Sequence, residues 1–447
     1  MTRIGQTLVL SGNLSRTQGS DGEVARQAHG RSLHSNFAWT LSGNMVYAAC
    51  QWGMLIVLAR MGSAEMVGQF ALALSIITPV LMFTNLQLRS VQATDARGEY
   101  SFRDYLALRL FMAGAAMIII GITALVTAPT AATLAVILVL AVAKGVEAIS
   151  EIYYGLLQQH ERMDRIAISL LLKGVVSLAA LALAIYFSNS ILWGSVALLI
   201  AALAVLVAFD QCSAKLVSGP ASGEKAERLP RWQFQSLAKL TLLALPLGLV
   251  VFLIALSANI PRYFIEHYQG LSDLGVFAAL SYLIVAGNRI VNALGESSSP
   301  RLAKYYAAGD YRQFRRLLLR LMLFGALLGI ATIAAVLVAG KELLTFFYGA
   351  EYAEHTTVLF WVAIAGSIGY LASFLGYAMT AARYFLVQTP LFLVVALSTV
   401  IACVFLVPEY GLHGAAWALG AGMLVQLAGS AAVVAYLLAR PAERRQP

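Results

Sequence analysis

Charge is scarce in this chain. Only 12% of its 447 residues are Asp, Glu, Lys or Arg, about half the roughly 25% of an ordinary soluble domain. A water-soluble protein of this length has no single core large enough to hide the apolar surface that remains. Cysteine is scarcer still. Cys50, Cys212 and Cys403 fall in or beside apolar runs at unrelated spacings. They form no metal motif, and an odd count argues against a disulfide framework, so they read as small buried hydrophobes. Of six histidines, His29 and His34 lie near the N-terminus, and His160, His267, His355 and His413 sit in expected loops or helix ends. None has a partner at metal-ligand spacing. Neither a Gly-x-Ser-x-Gly elbow nor a Gly-x-x-x-x-Gly-Lys phosphate loop occurs, which argues against a serine hydrolase and against ATP-driven transport by this chain. No cofactor is implied.

The first 36 residues are polar and rich in Gly, Ser and Arg. They hold no apolar stretch followed by a small-residue cleavage site, so they read as a disordered cytoplasmic tail rather than a signal peptide.

What the chain does have is apolar length. It is 60% hydrophobic, with a mean hydropathy of +0.77. A membrane-crossing helix needs about 20 mostly apolar residues. Runs of that kind lie at 37–59, 66–88, 105–126, 131–157, 165–187 and 190–210, then at 239–260, 274–296, 316–339, 357–381, 386–407 and 411–438. The fold class expected is an all-α membrane protein of about twelve spans. Its two six-helix bundles cover 37–210 and 239–438, joined by a cytoplasmic linker at 211–238, with a short tail at 439–447.

The basic residues test that count independently. The N-terminal tail, every second loop and the C-terminal tail together hold 22 of the 31 Lys and Arg residues, including Arg89, Arg103, Arg162, Arg231, Arg301, Arg312 and Arg315. The opposite loops hold three: Arg60, Arg262 and Lys341. Positive charge is retained on the cytoplasmic side, which puts both termini there. A miscounted helix would have scrambled the alternation. The same distribution disposes of a nucleic-acid partner, because the net charge of +9 is spread over short loops and forms no aromatic-interleaved groove.

The halves also echo each other. Val67-Gly-Gln-Phe-Ala opens the second span and Leu274-Gly-Val-Phe-Ala opens the eighth. Gly98-Glu-Tyr, Phe102-Arg and Arg109-Leu return as Gly309-Asp-Tyr, Phe314-Arg and Arg320-Leu, and Gly155 and Arg162 return as Gly376 and Arg383. Six helices bring the chain back to its starting side, so the halves share an orientation and a pseudo-twofold along the membrane normal follows.

Ionisable residues inside a span are costly unless they face a polar cavity or a partner. The fourth span carries Lys144, Glu147 and Glu151, which with Tyr154, Gly155 and Gln158 occupy an arc of roughly 100°. The eighth carries Ser281, Asn288, Arg289, Asn292, Gly295 and Glu296 on a second stripe of roughly 120°. One polar stripe in each half suggests a hydrated lumen with fixed positive charge at Lys144 and Arg289. The competing reading is mutual neutralisation, with Lys144 on Glu147 and Arg289 on Glu296 or another carboxylate, which would make the stripes helix glue. Glu147 and Glu151 are also candidate proton or cation sites. Lys173 and Asp210 lie near expected span ends and read as snorkelling side chains.

Tyr154-Gly-Leu-Leu-Gln-Gln-His-Glu-Arg-Met163 resembles the loop after the fourth helix of Wzx-type polysaccharide flippases, in the superfamily that holds the MATE drug exporters and the lipid II flippase. Asn292-Ala-Leu-Gly-Glu296 with Pro300-Arg301 and Gly309-Asp310, Tyr348-Gly-Ala-Glu-Tyr352, and Pro408-Glu-Tyr-Gly-Leu-His-Gly-Ala-Ala416 are similar to the same family. The resemblance covers the chain from about residue 37 onward. It implies export of an undecaprenyl-diphosphate-linked oligosaccharide from the cytoplasmic to the periplasmic leaflet of a bacterial inner membrane. Transport would proceed by alternating access through a cationic lumen, with Lys144, Arg289, Asn288 and Asn292 facing substrate and H⁺ or Na⁺ coupling at Glu147 or Glu151. Polysaccharide polymerases and glycosyltransferases would be partners. The alternative from the same superfamily is a small-molecule or drug antiporter, which would want carboxylates rather than cations in its cavity. A membrane glycosyltransferase or polymerase is a further rival, but it needs a substantial periplasmic loop, and the loops here are short.

Overall fold

In the computed structural model, residues 33–95, 99–217, 230–382 and 384–439 are described, and they form helices joined by short connections. The expected N-terminal tail up to residue 32, the middle of the linker (218–229) and the end of the C-terminal tail (440–447) lie outside the described residues.

The first bundle comprises α1 (Leu33–Met61), α2 (Ala64–Asn85), the short α3 (Leu88–Thr94), α4 (Phe102–Thr127), α5 (Ala131–Gln159), α6 (Met163–Ser188) and α7 (Ile191–Val205). A π-helical turn at Leu206–Asp210 carries α7 into α8 (Gln211–Val217). The second bundle comprises α9 (Phe234–Gln269), α10 (Leu271–Ala307), α11 (Tyr311–Phe347), a 3₁₀ turn at Ala350–His355, α12 (Thr356–Ala381) and α13 (Phe385–Ala439). Local chemistry sets the starts. Ser63, Thr130 and Asp310 each accept a backbone N–H three residues on, and Ser101 with Asp104 forms a capping box. Each supplies a donor or acceptor that the helix end lacks.

Among the described residues eleven helices are long and apolar enough to cross a membrane, and the last of them is double. At Gly411 the backbone turns to φ 53°, ψ −127°, a conformation open in practice only to glycine. Gly414 then lets the turned chain close on itself, since a Cβ there would meet the Leu406 carbonyl oxygen at 2.0 Å. With α13 broken there, the described residues make twelve crossings, as expected from the apolar runs.

Several helices outrun their apolar windows. α9, α10 and α11 have 36, 37 and 37 residues, about 55 Å each at 1.5 Å per residue against a hydrocarbon core of about 30 Å. α1 begins at Leu33 and α9 at Phe234, earlier than the runs suggest. One charge changes place as a result. Arg262, read from sequence as a loop residue, lies inside α9, seven residues before its end.

Within the first bundle α1 packs on α6, and α5 packs on α4 and α7; within the second, α12 packs on α10 and α11, and α13 on α9 and α12. The face where α1 begins is called the near face below, and its opposite the far face. At the far face the bundles meet through the repeated motif itself. A Cβ on Gly68 would lie 1.8 Å from the Leu271 carbonyl oxygen, and one on Gly275 would lie 2.0 Å from that of Ala64. The equivalent glycines of the two halves thus bring α2 and α10 backbone to backbone across the pseudo-twofold. Beside them Arg60 caps the end of α11, donating to the carbonyls of Thr345, Phe346 and Phe347. Trp52 donates to the Tyr348 hydroxyl at 2.8 Å and packs on Phe347. At the near face the crossing contacts run through α9. Its Gly248 sits against Phe83 and Leu86, and its Leu240 and Ala244 join a cluster with Leu86 and Tyr105.

Candidate functional site

The polar stripe of the first bundle is fully engaged. Lys144 Nζ lies 2.9 Å from Glu147 Oε2 and 3.0 Å from Oε1, and the Tyr47 hydroxyl of α1 donates to the same carboxylate at 3.2 Å. Both side chains keep about a fifth of their surface accessible (21% and 22%). One turn closer to the near face, Glu151 pairs with Arg89 at 2.8 Å. Arg89 also donates to Gln158 and lies over the Tyr154 ring. It reaches them because α2 ends early. Leu86 and Gln87 both adopt left-handed backbone (φ 49° and 52°), and α3 then turns Arg89 back toward α5. Two consecutive non-glycine residues in that region are rare and strained. Leu86 is held there by full burial.

Behind this layer lies a chain that local sequence did not reveal. Lys173 of α6 donates to the Tyr154 hydroxyl at 3.0 Å, Tyr154 and Ser169 are 2.7 Å apart, and Ser169 donates to Asp210. With Ser169 donating onward, the hydroxyls point one way from ammonium to carboxylate. Lys173 is 3% exposed and Asp210 0%, so neither snorkels. That reading is corrected: the bundle packs over both, and a buried charge held by partners replaces one reaching for water. Asp210 closes the π-helical turn, an irregularity often found at functional positions. The signal available in sequence was a lone ionisable residue in each of two apolar runs, Lys173 and Asp210. Their shared depth needed the tertiary packing.

The second bundle's stripe is different. Arg289 is exposed and, among the described residues, has neither a hydrogen bond nor an ion pair; the expected Glu296 partner is not engaged. Asn292 is exposed, with the Tyr377 hydroxyl 3.5 Å away, and Asn288 is half-buried. Glycines seat the helix behind them: Gly287 lies against Tyr370 and Gly295 against Tyr377 of α12. Tyr282, seven residues before Arg289, is about 20° away around α10, so the two share a face. Tyr282 also neighbours Arg262, whose guanidinium bonds Asn259 at 3.0 Å and has no carboxylate partner among the described residues. The helix extension therefore adds a second unneutralised cation to the face that Arg289 marks. Apolar periodicity missed it because Pro261-Arg262 ends the hydrophobic run without ending the helix.

Among the described residues the arrangement thus presents two cations without carboxylate partners at this face of the second bundle, and stripe cations already matched by carboxylates on the first. An unmatched guanidinium is a strong donor site for phosphate or carboxylate groups, whose oxygens accept its N–H bonds. Among the described residues no group of His, Cys, Asp and Glu is arranged to hold a metal ion.

The chain as a whole is similar to known proteins. Over 397 residues the chain is 26% identical to the capsular polysaccharide biosynthesis protein CapF of Staphylococcus aureus, covering 88% of this chain and 96% of that protein. Its fold matches an inward-facing multidrug resistance MATE family transporter of the MOP superfamily with a TM-score of 0.70 at 12% identity, over 90% of this chain and 98% of the other. It matches the lipid II flippase MurJ in an inward closed conformation equally well, with a TM-score of 0.70 at 12% identity over 89% and 87%. At those identities the structural likeness establishes the fold alone. The family model for polysaccharide biosynthesis proteins matches residues 33–306, more than half of the sequence, and this multi-pass membrane chain of MATE and MurJ fold belongs to that family.

Proposed function

We propose that the protein moves an undecaprenyl-diphosphate-linked oligosaccharide from the cytoplasmic to the periplasmic leaflet by alternating access between its two bundles. The observation that carries this reading is Arg289, an exposed guanidinium on a membrane-crossing helix with no counter-charge among the described residues. Such a group is costly unless something anionic visits it. A diphosphate supplies that anion, and the glycan's hydroxyls suit Asn288 and Asn292. The lipid tail stays in the bilayer while the headgroup crosses.

In this reading the near face is cytoplasmic, as the distribution of Lys and Arg argues, and the glycine contact at the far face is the closed periplasmic gate. The segments 37–210 and 239–438 are the moving bodies. Lys144 is the substrate cation of the first bundle. H⁺ or Na⁺ at Glu147 competes with Lys144 for that carboxylate and frees the ammonium for phosphate; Glu151 and Arg89 form a parallel pair. Family membership and likeness to CapF support a polysaccharide-related cargo, and likeness to MurJ supports the flippase geometry. A drug-cation antiporter is less well served, because both stripe carboxylates of the first bundle are occupied by basic residues.

The test is the lipid-linked oligosaccharide pool in cells with and without the gene, sorted by leaflet with a periplasm-restricted glycan label. Cytoplasmic accumulation and loss of surface polysaccharide in the deletion are expected. An unchanged pool in a strain with no second flippase sinks the proposal and favours small-molecule export.

A further inference from the structure

Away from both polar stripes, the second bundle carries a groove of ≈ 630 Å³ between the first turns of α11, the end of α12 and the last turns of α13. Its composition is ordered along the membrane normal. Arg312 and Arg315 stand at the near-face end, and Leu318 and Met322 follow deeper along α11. The facing wall includes Ala431 and Ala435, one helical turn apart on α13, whose short side chains hollow it out. From Arg312 to Met322 is about 15 Å along a helix at 1.5 Å per residue, matching one leaflet of a hydrocarbon core about 30 Å thick. Both arginines are exposed, and neither has an ion-pair partner among the described residues. The start of α11 adds its positive helix end to theirs.

We infer that this groove is a binding site for an anionic glycerophospholipid of the near-face leaflet, its phosphate and headgroup on Arg312 and Arg315 and one acyl chain along Leu318, Met322 and the alanines. The charge complementarity selects the headgroup, since an ammonium-bearing zwitterion would bring a cation to a doubly cationic rim. The depth selects the tail, since the groove ends where a leaflet ends. A polyprenyl substrate is the poorer occupant. Leu375 of α12 lines the groove, whereas Tyr377, two residues and about 200° away around the helix, faces Gly295 of α10. The body of α12 therefore separates the groove from Arg289 and Asn292. This inference stands whatever the cargo is.

The experiment is native mass spectrometry of the purified full-length protein titrated with phosphatidylglycerol or phosphatidylcholine of identical acyl chains. The wild type is expected to retain phosphatidylglycerol preferentially. Arg312→Gln/Arg315→Gln is expected to lose that preference by about 30-fold, from the usual contribution of two basic residues at an anionic surface. Ala431→Phe/Ala435→Phe fills the groove and is expected to lower retention of both lipids. Equal retention of the two lipids by the wild type overturns the inference. So does an equal loss in Arg301→Gln, a near-face control outside the groove, or displacement of phosphatidylglycerol by undecaprenyl phosphate at matched concentration, which would assign the groove to the substrate's tail.

Discussion

Adding one methyl group at Gly275 should open the far face. In the present conformation a Cβ at that position would lie 2.0 Å from the Ala64 carbonyl oxygen and 2.8 Å from the Gly68 nitrogen. Both are backbone atoms and cannot rotate away. Restoring ordinary contact requires α2 and α10 to part by more than 1 Å, and overpacking of that kind costs about 1–3 kcal/mol. The cost falls only on the conformation in which these helices touch. Gly275→Ala should therefore shift the equilibrium toward the far-face-open state by about 5- to 150-fold. Gly68→Ala, facing the Leu271 carbonyl at 1.8 Å, should act in the same direction without adding fully, because the two sites share one contact. The assay is the rate at which a membrane-impermeant maleimide, applied from the periplasm, labels Ser281→Cys in a background with Cys50, Cys212 and Cys403 replaced. Gly114→Ala in α4 is the control, since nothing lies within 4 Å of a Cβ there. An unchanged labelling rate in Gly275→Ala, with wild-type thermal stability, would refute the glycine contact as a gate.

Arg289→Ala should abolish most transport while the protein still reaches the membrane at normal levels; normal flipping in that variant would remove the cationic face from the mechanism. Lys144→Ala should lower stability by about 1–3 kcal/mol by orphaning Glu147, and Lys144→Ala/Glu147→Ala should recover much of that in thermal unfolding. Lys173→Met, which leaves Asp210 buried without its cation, should cost about 3–5 kcal/mol; a thermal midpoint equal to wild type would mean that the chain to Asp210 carries no charge. Gly411→Ala should destabilise by about 1–3 kcal/mol through backbone strain, visible as a lower midpoint with unchanged ligand binding.

The two polar stripes illustrate how far a one-dimensional reading reaches. Their existence was legible because ionisable residues stand out in apolar runs, and 100° per residue places them on one face. Whether each charge was neutralised was not legible. Lys144 meets Glu147 three residues away on its own helix, whereas Arg289 makes no ion pair with Glu296, about two turns further along α10. Arg89 had to be carried back by two strained residues to reach Glu151. Lys173 and Asp210, near span ends in sequence, are joined through Tyr154 and Ser169 by the packing of three helices.

By itself the sequence determined the solvent, the number of crossings and the duplication. Transfer of apolar length into a bilayer is a sum over local residues, and the bias of basic residues is read loop by loop. The repeated Gly68 and Gly275 were visible as a motif, but their meeting across the pseudo-twofold was not. Tertiary structure alone decided which cations stay unmatched, where α9 carries Arg262, at which face α2 and α10 touch and where a groove remains between α11, α12 and α13. Those outcomes depend on distances between helices far apart in the chain, and such distances are set by packing across the whole bundle rather than by any local pattern.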